Sequence, residues 1–116
     1  MTVVQFDSFS KKAPNAWVAP QLAVIVPSYN ERANVGLLYE KVTEALGSIP
    51  FEFIVVDDNS PDGTSEVVRD MARLHSNVRS IHRIGRRGLS SAVIEGILAS
   101  SAPFFAVIDA DLQHDE

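Results

Sequence analysis

The sequence contains no cysteine, which excludes disulfide bridges and thiolate-held zinc and suits a cytoplasmic protein. Long apolar runs are missing too. The stretch LAVIV at residues 22–26 falls far short of the about 20 residues that cross a bilayer as a helix. The opening residues, MTVVQFDSFSKKAPNAWVAP, have no basic start followed by an apolar stretch, so they do not read as a signal peptide. Positive charge is also in short supply. Ten Lys and Arg against fifteen Asp and Glu leave a net charge of −5. That argues against a protein that coats nucleic acid, which needs a basic surface to displace counterions.

What remains has the proportions of one ordinary globular domain: 116 residues, 46% apolar and 22% charged, with room for a small core. Residues 1–20 show no sustained period and carry Pro14 and Pro20; they are expected to form a poorly ordered leader. Regular patterning starts at Leu22. LAVIV reads as a strand buried on both faces. Val35, Leu38, Val42, Ala45 and Leu46 then recur at helical spacing, with Gly47 placed to stop the helix. Ser28 or Asn30 can cap its first turn, and Ser28 with Glu31 fits a capping box.

FEFIVVDD reads as a second buried strand and NSPDGT as a turn. Thr64 is placed to cap a helix whose apolar stripe is Val67, Val68, Met71 and Leu74. A weaker strand over 78–84, a third helix over 89–99 and a last strand, FFAVID, complete the pattern. Strands alternating with helices predict an α/β fold with a mostly parallel sheet and helices on both faces. In such sheets ligands bind beyond the carboxyl ends of the strands. Pro27-Ser28-Tyr29-Asn30-Glu31, Asp57-Asp58 and Asp109-Ala110-Asp111 all fall there.

Each of these segments has a chemical and a structural reading. Asp109 and Asp111 could both reach one hard cation such as Mg2+ or Mn2+, which prefers oxygen ligands and shares phosphate oxygens. A solvated acidic turn would look the same. Asp57 or Asp58 could accept hydrogen bonds from a base or ribose, or could bind the backbone of the following turn. Arg79, Arg83, Arg86 and Arg87 gather before GLSSA, where guanidinium groups and helix N–H groups suit phosphate. A basic surface turn is the plainer reading, because Gly85-Arg86-Arg87-Gly88 matches no nucleotide fingerprint. The three histidines, His75, His82 and His114, lack metal-ligand spacing; the first two read as surface residues.

Taken in order, VIVPSYNE, IVVDDNSPDGT, RRGLSSAVIEG and DADLQH resemble the N-terminal core of family 2 glycosyltransferases with the GT-A fold. The likeness is strongest to dolichyl-phosphate mannosyltransferases and bacterial polyprenyl-phosphate glycosyltransferases. It makes residues 21–116 the nucleotide-sugar-binding half of such a domain, with a Rossmann-like sheet. It implies that Pro27, Tyr29 and Glu31 line a nucleotide pocket and that Asp57 holds the base. Asp109 and Asp111 would be catalytic and would bind Mg2+ or Mn2+, with Gln113 as a further ligand, while Arg87 and the Gly88-Leu89 backbone would lie near the sugar diphosphate. The implied donor is a GDP- or UDP-sugar, and the implied acceptor a polyprenyl phosphate at the cytoplasmic face of a membrane, or else a saccharide.

Asp115 and Glu116 follow Gln113-His114 where the family often has prolines. The family's acceptor-binding half follows the D-x-D motif, so the chain is expected to be part of a longer enzyme and to catalyse little alone. Two other classes compete. A phosphorylation-switch receiver domain also has a strand ending in Asp-Asp and a later strand-end Asp. A non-catalytic nucleotide-binding domain would keep the same rim.

Overall fold

A computed structural model describes residues 19–85 and 88–110. The leader expected over 1–20 thus lies outside the described residues up to position 18. Four strands, β1 (Leu22–Ser28), β2 (Phe51–Asp57), β3 (Val78–His82) and β4 (Phe104–Val107), alternate with three helices, α1 (Val35–Leu46), α2 (Thr64–Leu74) and α3 (Leu89–Leu98). All strand pairs are parallel, in the order β3-β2-β1-β4. The sheet grows outward from β1 to β3 and then returns to place β4 on the other side of β1. Right-handed crossovers in opposite directions put their helices on opposite faces, as found here.

One face packs Val24, Val26, Phe53 and Val55 against Val35, Leu38 and Val42 of α1 and Val68 of α2. The other packs Ala23, Ile25, Ile54 and Val56 against Ala92 and Ile97 of α3. Both faces of β1 and β2 are covered, and this is why their sequences are continuous apolar runs rather than alternating ones. Every residue of β2 is buried.

Two expected caps are replaced by other devices. Ser28 ends β1 and Asn30 sits at φ 57, so α1 starts only at Val35, without a side-chain cap. Thr64 is the first residue of α2 rather than its cap; Asp62 accepts its N–H at 3.0 Å and its hydroxyl at 2.5 Å. Strand β3 ends at His82, two residues short of the expected limit. The backbone N–H of Arg83 still donates to the Asp57 carbonyl at 2.8 Å.

No helix among the described residues is long and apolar enough to cross a membrane.

Candidate functional site: a cleft where β1 and β4 part

Pairing of β1 with β4 runs from Leu22↔Phe104 to Ile25↔Val107 and stops there. The Ile25 carbonyl faces β4, accepting the Ile108 N–H at 2.9 Å. In a parallel pair the next amide on that side belongs to residue 27, which is a proline and has no N–H to give. The strands separate at that position, and an open cleft of about 350 Å3 lies beyond it. It sits at the strand carboxyl ends, where the strand order reverses, the usual ligand position of a doubly wound sheet.

The cleft is lined by Pro27, Ser28, Tyr29 and Glu31 from the end of β1, by Asp58 after β2, by Asp109 after β4, and by Gly88, Leu89 and Ala92 of α3. Four of the expected site residues, Pro27, Tyr29, Glu31 and Asp109, therefore meet on one cavity. The adjoining Gly88 and Leu89 lie there too. Arg87, Asp111 and Gln113 fall outside the described residues. Among the described residues, no three acidic or histidine side chains gather tightly enough to hold a metal by themselves.

Asp57 is placed differently from its expected role. Its side chain is fully buried and does not reach the cleft. Its carboxylate accepts the Ser60 N–H at 3.1 Å and the Ser60 hydroxyl. Asp58 is on the cavity wall instead. The reason is strand parity: Phe53, Val55 and Asp57 point to the α1/α2 face, while Ile54, Val56 and then Asp58 point to the α3 face. Pro27 is registered beside Val56 and shares that α3 face. Counting alternate residues along FIVVDD picks out Asp58.

Ser60 also links two loops. Its hydroxyl donates to Asp57 and accepts the backbone N–H of Asn30 at 2.8 Å. Two further backbone amides of the β1 loop are held by the β2 loop: Glu31 N–H donates to the Thr64 hydroxyl at 3.2 Å, and Arg32 N–H to Asp62 at 3.2 Å. These bonds fix the segment that carries Tyr29 and Glu31.

Of the arginines expected in a basic surface turn, Arg86 and Arg87 lie outside the described residues, and Arg79 and Arg83 differ from each other. Arg79 pairs with Glu52 at 3.2 Å and donates to the Ala99 carbonyl. Arg83 is completely buried, and nothing in its sequence neighbourhood signals that. Its fork meets Asp58 at 2.6 and 3.0 Å, and it also reaches Ser91, Glu95 and the Gly88 carbonyl. Hydrogen bonding to Asp58 raises its pKa above the usual value, outweighing the opposing desolvation, and Glu95 adds to the rise. His75 and His82 are exposed, as expected. The His82 ring lies 2.9 Å from the Ser65 hydroxyl and 3.0 Å from the Asn59 side chain.

Comparison with known proteins agrees with this arrangement. A dolichol-phosphate mannosyltransferase of Pyrococcus furiosus is 44% identical over 94 residues, covering 81% of this chain and 26% of the relative. One from Saccharomyces cerevisiae is 40% identical over 97 residues, covering 81% and 36%. The chain thus spans only about a quarter to a third of the relatives it matches. A mannosyltransferase of Pyrobaculum calidifontis, solved with GDP-Man and Mn2+, superposes with TM-score 0.66 at 25% identity, covering 93% of this chain and 34% of that one. Glucosyl-3-phosphoglycerate synthase of Mycobacterium tuberculosis, at 22% identity and TM-score 0.63 over 79% of this chain and 34% of that one, shares the fold. The receiver-domain reading does not survive, because that class orders its strands 2-1-3-4-5 and this sheet runs β3-β2-β1-β4. Residues 23–116 match the sequence profile of glycosyl transferase family 2, and the chain belongs to that family.

Proposed function

We propose that the cleft holds the nucleoside diphosphate of a GDP- or UDP-sugar, and that the full-length protein transfers the sugar to a polyprenyl phosphate at the cytoplasmic face of a membrane. The observation that carries this reading is the meeting of Pro27, Tyr29, Glu31 and Asp109 on one cavity at the sheet's switch point. The names of the dolichol-phosphate mannosyltransferase relatives favour a polyprenyl phosphate of the dolichyl type over a saccharide.

The wall chemistry favours a divalent cation, Mg2+ or Mn2+. Glu31 and Asp109 bring carboxylates to the cleft beside Asp58, whose charge is already paired with Arg83, and a diphosphate placed near acidic side chains is better accommodated with a cation. Carboxylate oxygens are the hard donors that such ions select. In this reading Asp109 and Asp111 hold the ion, with Gln113 as a further ligand, and the ion's contribution is to neutralise the departing diphosphate. Tyr29, 43% exposed on the wall, offers an aromatic face to the nucleoside. Asp58 takes the polar edge of the base, the role first expected of Asp57. In the same reading the diphosphate is bound by Arg87 and the Gly88-Leu89 backbone.

The acceptor needs little activation. A phosphate monoester has a second pKa of about 6, so at neutral pH its oxygen is already an anionic nucleophile and a general base is dispensable. Attack from the face opposite the diphosphate inverts the anomeric carbon.

The test uses full-length protein with GDP-mannose, MnCl2 and dolichyl phosphate. Asp111→Ala is expected to abolish metal-dependent transfer while leaving the circular dichroism spectrum unchanged. Normal turnover by that variant would contradict the metal assignment. Transfer to a free saccharide but not to the lipid phosphate would overturn the acceptor.

A further inference from the structure

We infer that Arg83, which does not itself line the cleft, is the positioning residue that sets the cleft's width by fixing Asp58 against the start of α3. The inference rests on the nucleotide-binding reading of that cleft.

A guanidinium carries five N–H donors in a rigid plane. In Arg83 all five are engaged: Nε with Asp58 Oδ1 at 2.6 Å, Nη2 with Asp58 Oδ2 at 3.0 Å and the Gly88 carbonyl at 3.1 Å, Nη1 with Ser91 Oγ at 2.8 Å and Glu95 Oε2 at 3.2 Å. With 0% of its side chain exposed, Arg83 has no water to replace a lost acceptor. A buried charge persists only where such pairing is complete.

The acceptors come from separate parts of the fold. Asp58 follows β2, Gly88 precedes α3, and Ser91 and Glu95 stand on α3. Two of them, Asp58 and Gly88, are cleft-lining residues. They also bond each other, the Gly88 N–H donating to Asp58 Oδ2 at 3.3 Å. One planar group therefore sets both the orientation of the Asp58 carboxylate and its distance from the first turn of α3. A lysine ammonium carries the same charge, but as a point it cannot hold both carboxylate oxygens in plane and reach the Gly88 carbonyl as well.

Glu95 supplies the control. It bonds the far side of the same guanidinium but does not line the cleft. If Arg83 acted through stability alone, Arg83→Lys and Glu95→Gln would affect ligand binding in proportion to their effects on melting. If it positions the wall, the two effects separate.

The experiment is calorimetric titration of full-length protein with GDP and with UDP, each with Mn2+, well below the melting temperature of every variant. Arg83→Lys is expected to weaken binding of the preferred nucleotide by at least about tenfold, the scale on which misplaced binding groups act. Glu95→Gln should change it by less than threefold, although both variants melt lower. Binding by Arg83→Lys within threefold of wild type, or an equal loss in Glu95→Gln, overturns the inference. Should Arg83→Lys fail to fold, wild-type protein carries the test: Arg83 side-chain N–H resonances must shift when GDP and Mg2+ are added, and unmoved resonances overturn the role. A wild type that binds neither nucleotide removes the nucleotide reading itself, and the inference with it; a wild type that binds beside an unaffected Arg83→Lys removes only the role of Arg83.

Discussion

Gly36 in α1 and Gly96 in α3 should respond in opposite directions to the same substitution. Neither has positive φ, so alanine is admissible at both as far as the backbone is concerned. In a helix interior, Gly→Ala gains up to about 1 kcal/mol from reduced unfolded-state freedom and better propensity. A Cβ at Gly36 meets nothing within 4 Å, so Gly36→Ala should stabilise by a few tenths to about 1 kcal/mol. A Cβ at Gly96 lies 2.5 Å from Cγ2 and 3.1 Å from Cδ1 of Ile25, a fully buried side chain in the central strand. Ile25 cannot turn away without displacing its neighbours, so overpacking of about 1–3 kcal/mol opposes the propensity gain. The net for Gly96→Ala is a loss of about 1 kcal/mol, which separates the two variants by about 2 kcal/mol. In a protein of this size or longer that is a gap of about 4–8 °C in melting temperature. Ala92, one turn before Gly96 on α3, lines the cleft, so the same displacement should also weaken GDP binding. Urea and thermal denaturation of both variants measure the stability terms. A Gly96→Ala protein as stable as Gly36→Ala would show that α3 does not lie tight on β1.

Two more outcomes follow from the loops. Asp57→Asn should cost about 1–3 kcal/mol by weakening its charged bonds to Ser60, yet disturb GDP affinity less than Asp58→Asn does; calorimetry giving the reverse ranking would return the base contact to Asp57. Burial acts to raise the Asp62 pKa, but the Thr64 hydroxyl and the backbone N–H groups of Arg32, Thr64 and Asp62 itself outweigh it and hold the group below its ordinary value. Its bracing is therefore complete above the unfolded aspartate pKa of about 3.9 and is lost as pH falls through the lower folded value. The difference in melting temperature between wild type and Asp62→Asn should stay constant from neutral pH down to about 5 and shrink below about 4; a difference that persists unchanged at lower pH refutes it.

The order and type of the elements were legible in the sequence, because β1 and β2, covered on both faces, are continuous apolar runs and α1 and α2 each keep an apolar stripe. The caps were not. Ser28, Asn30 and Thr64 have the composition of caps, but where α1 and α2 begin depends on bonds between loops about thirty residues apart in sequence. The site was legible as a rim and only partly as a set of residues. Pro27, Tyr29, Glu31 and Asp109 reached the cleft. The choice between Asp57 and Asp58 needed the parity of β2, which a uniformly apolar strand conceals. Arg83 was hidden for a different reason: its partners, Asp58, Gly88, Ser91 and Glu95, are brought to it only by tertiary packing.

The Ser60 hydroxyl takes the Asn30 amide and gives its own proton to Asp57. Both of its roles are used, so the hydrogen bonds run in one direction from the β1 loop through Ser60 to the end of β2. Bonds that brace the segment carrying Tyr29 within the protein itself would, on the proposed reading, leave a nucleoside less loop entropy to quench on binding. Discrimination between ligands would then fall to shape and charge rather than to how readily the loops can be recruited.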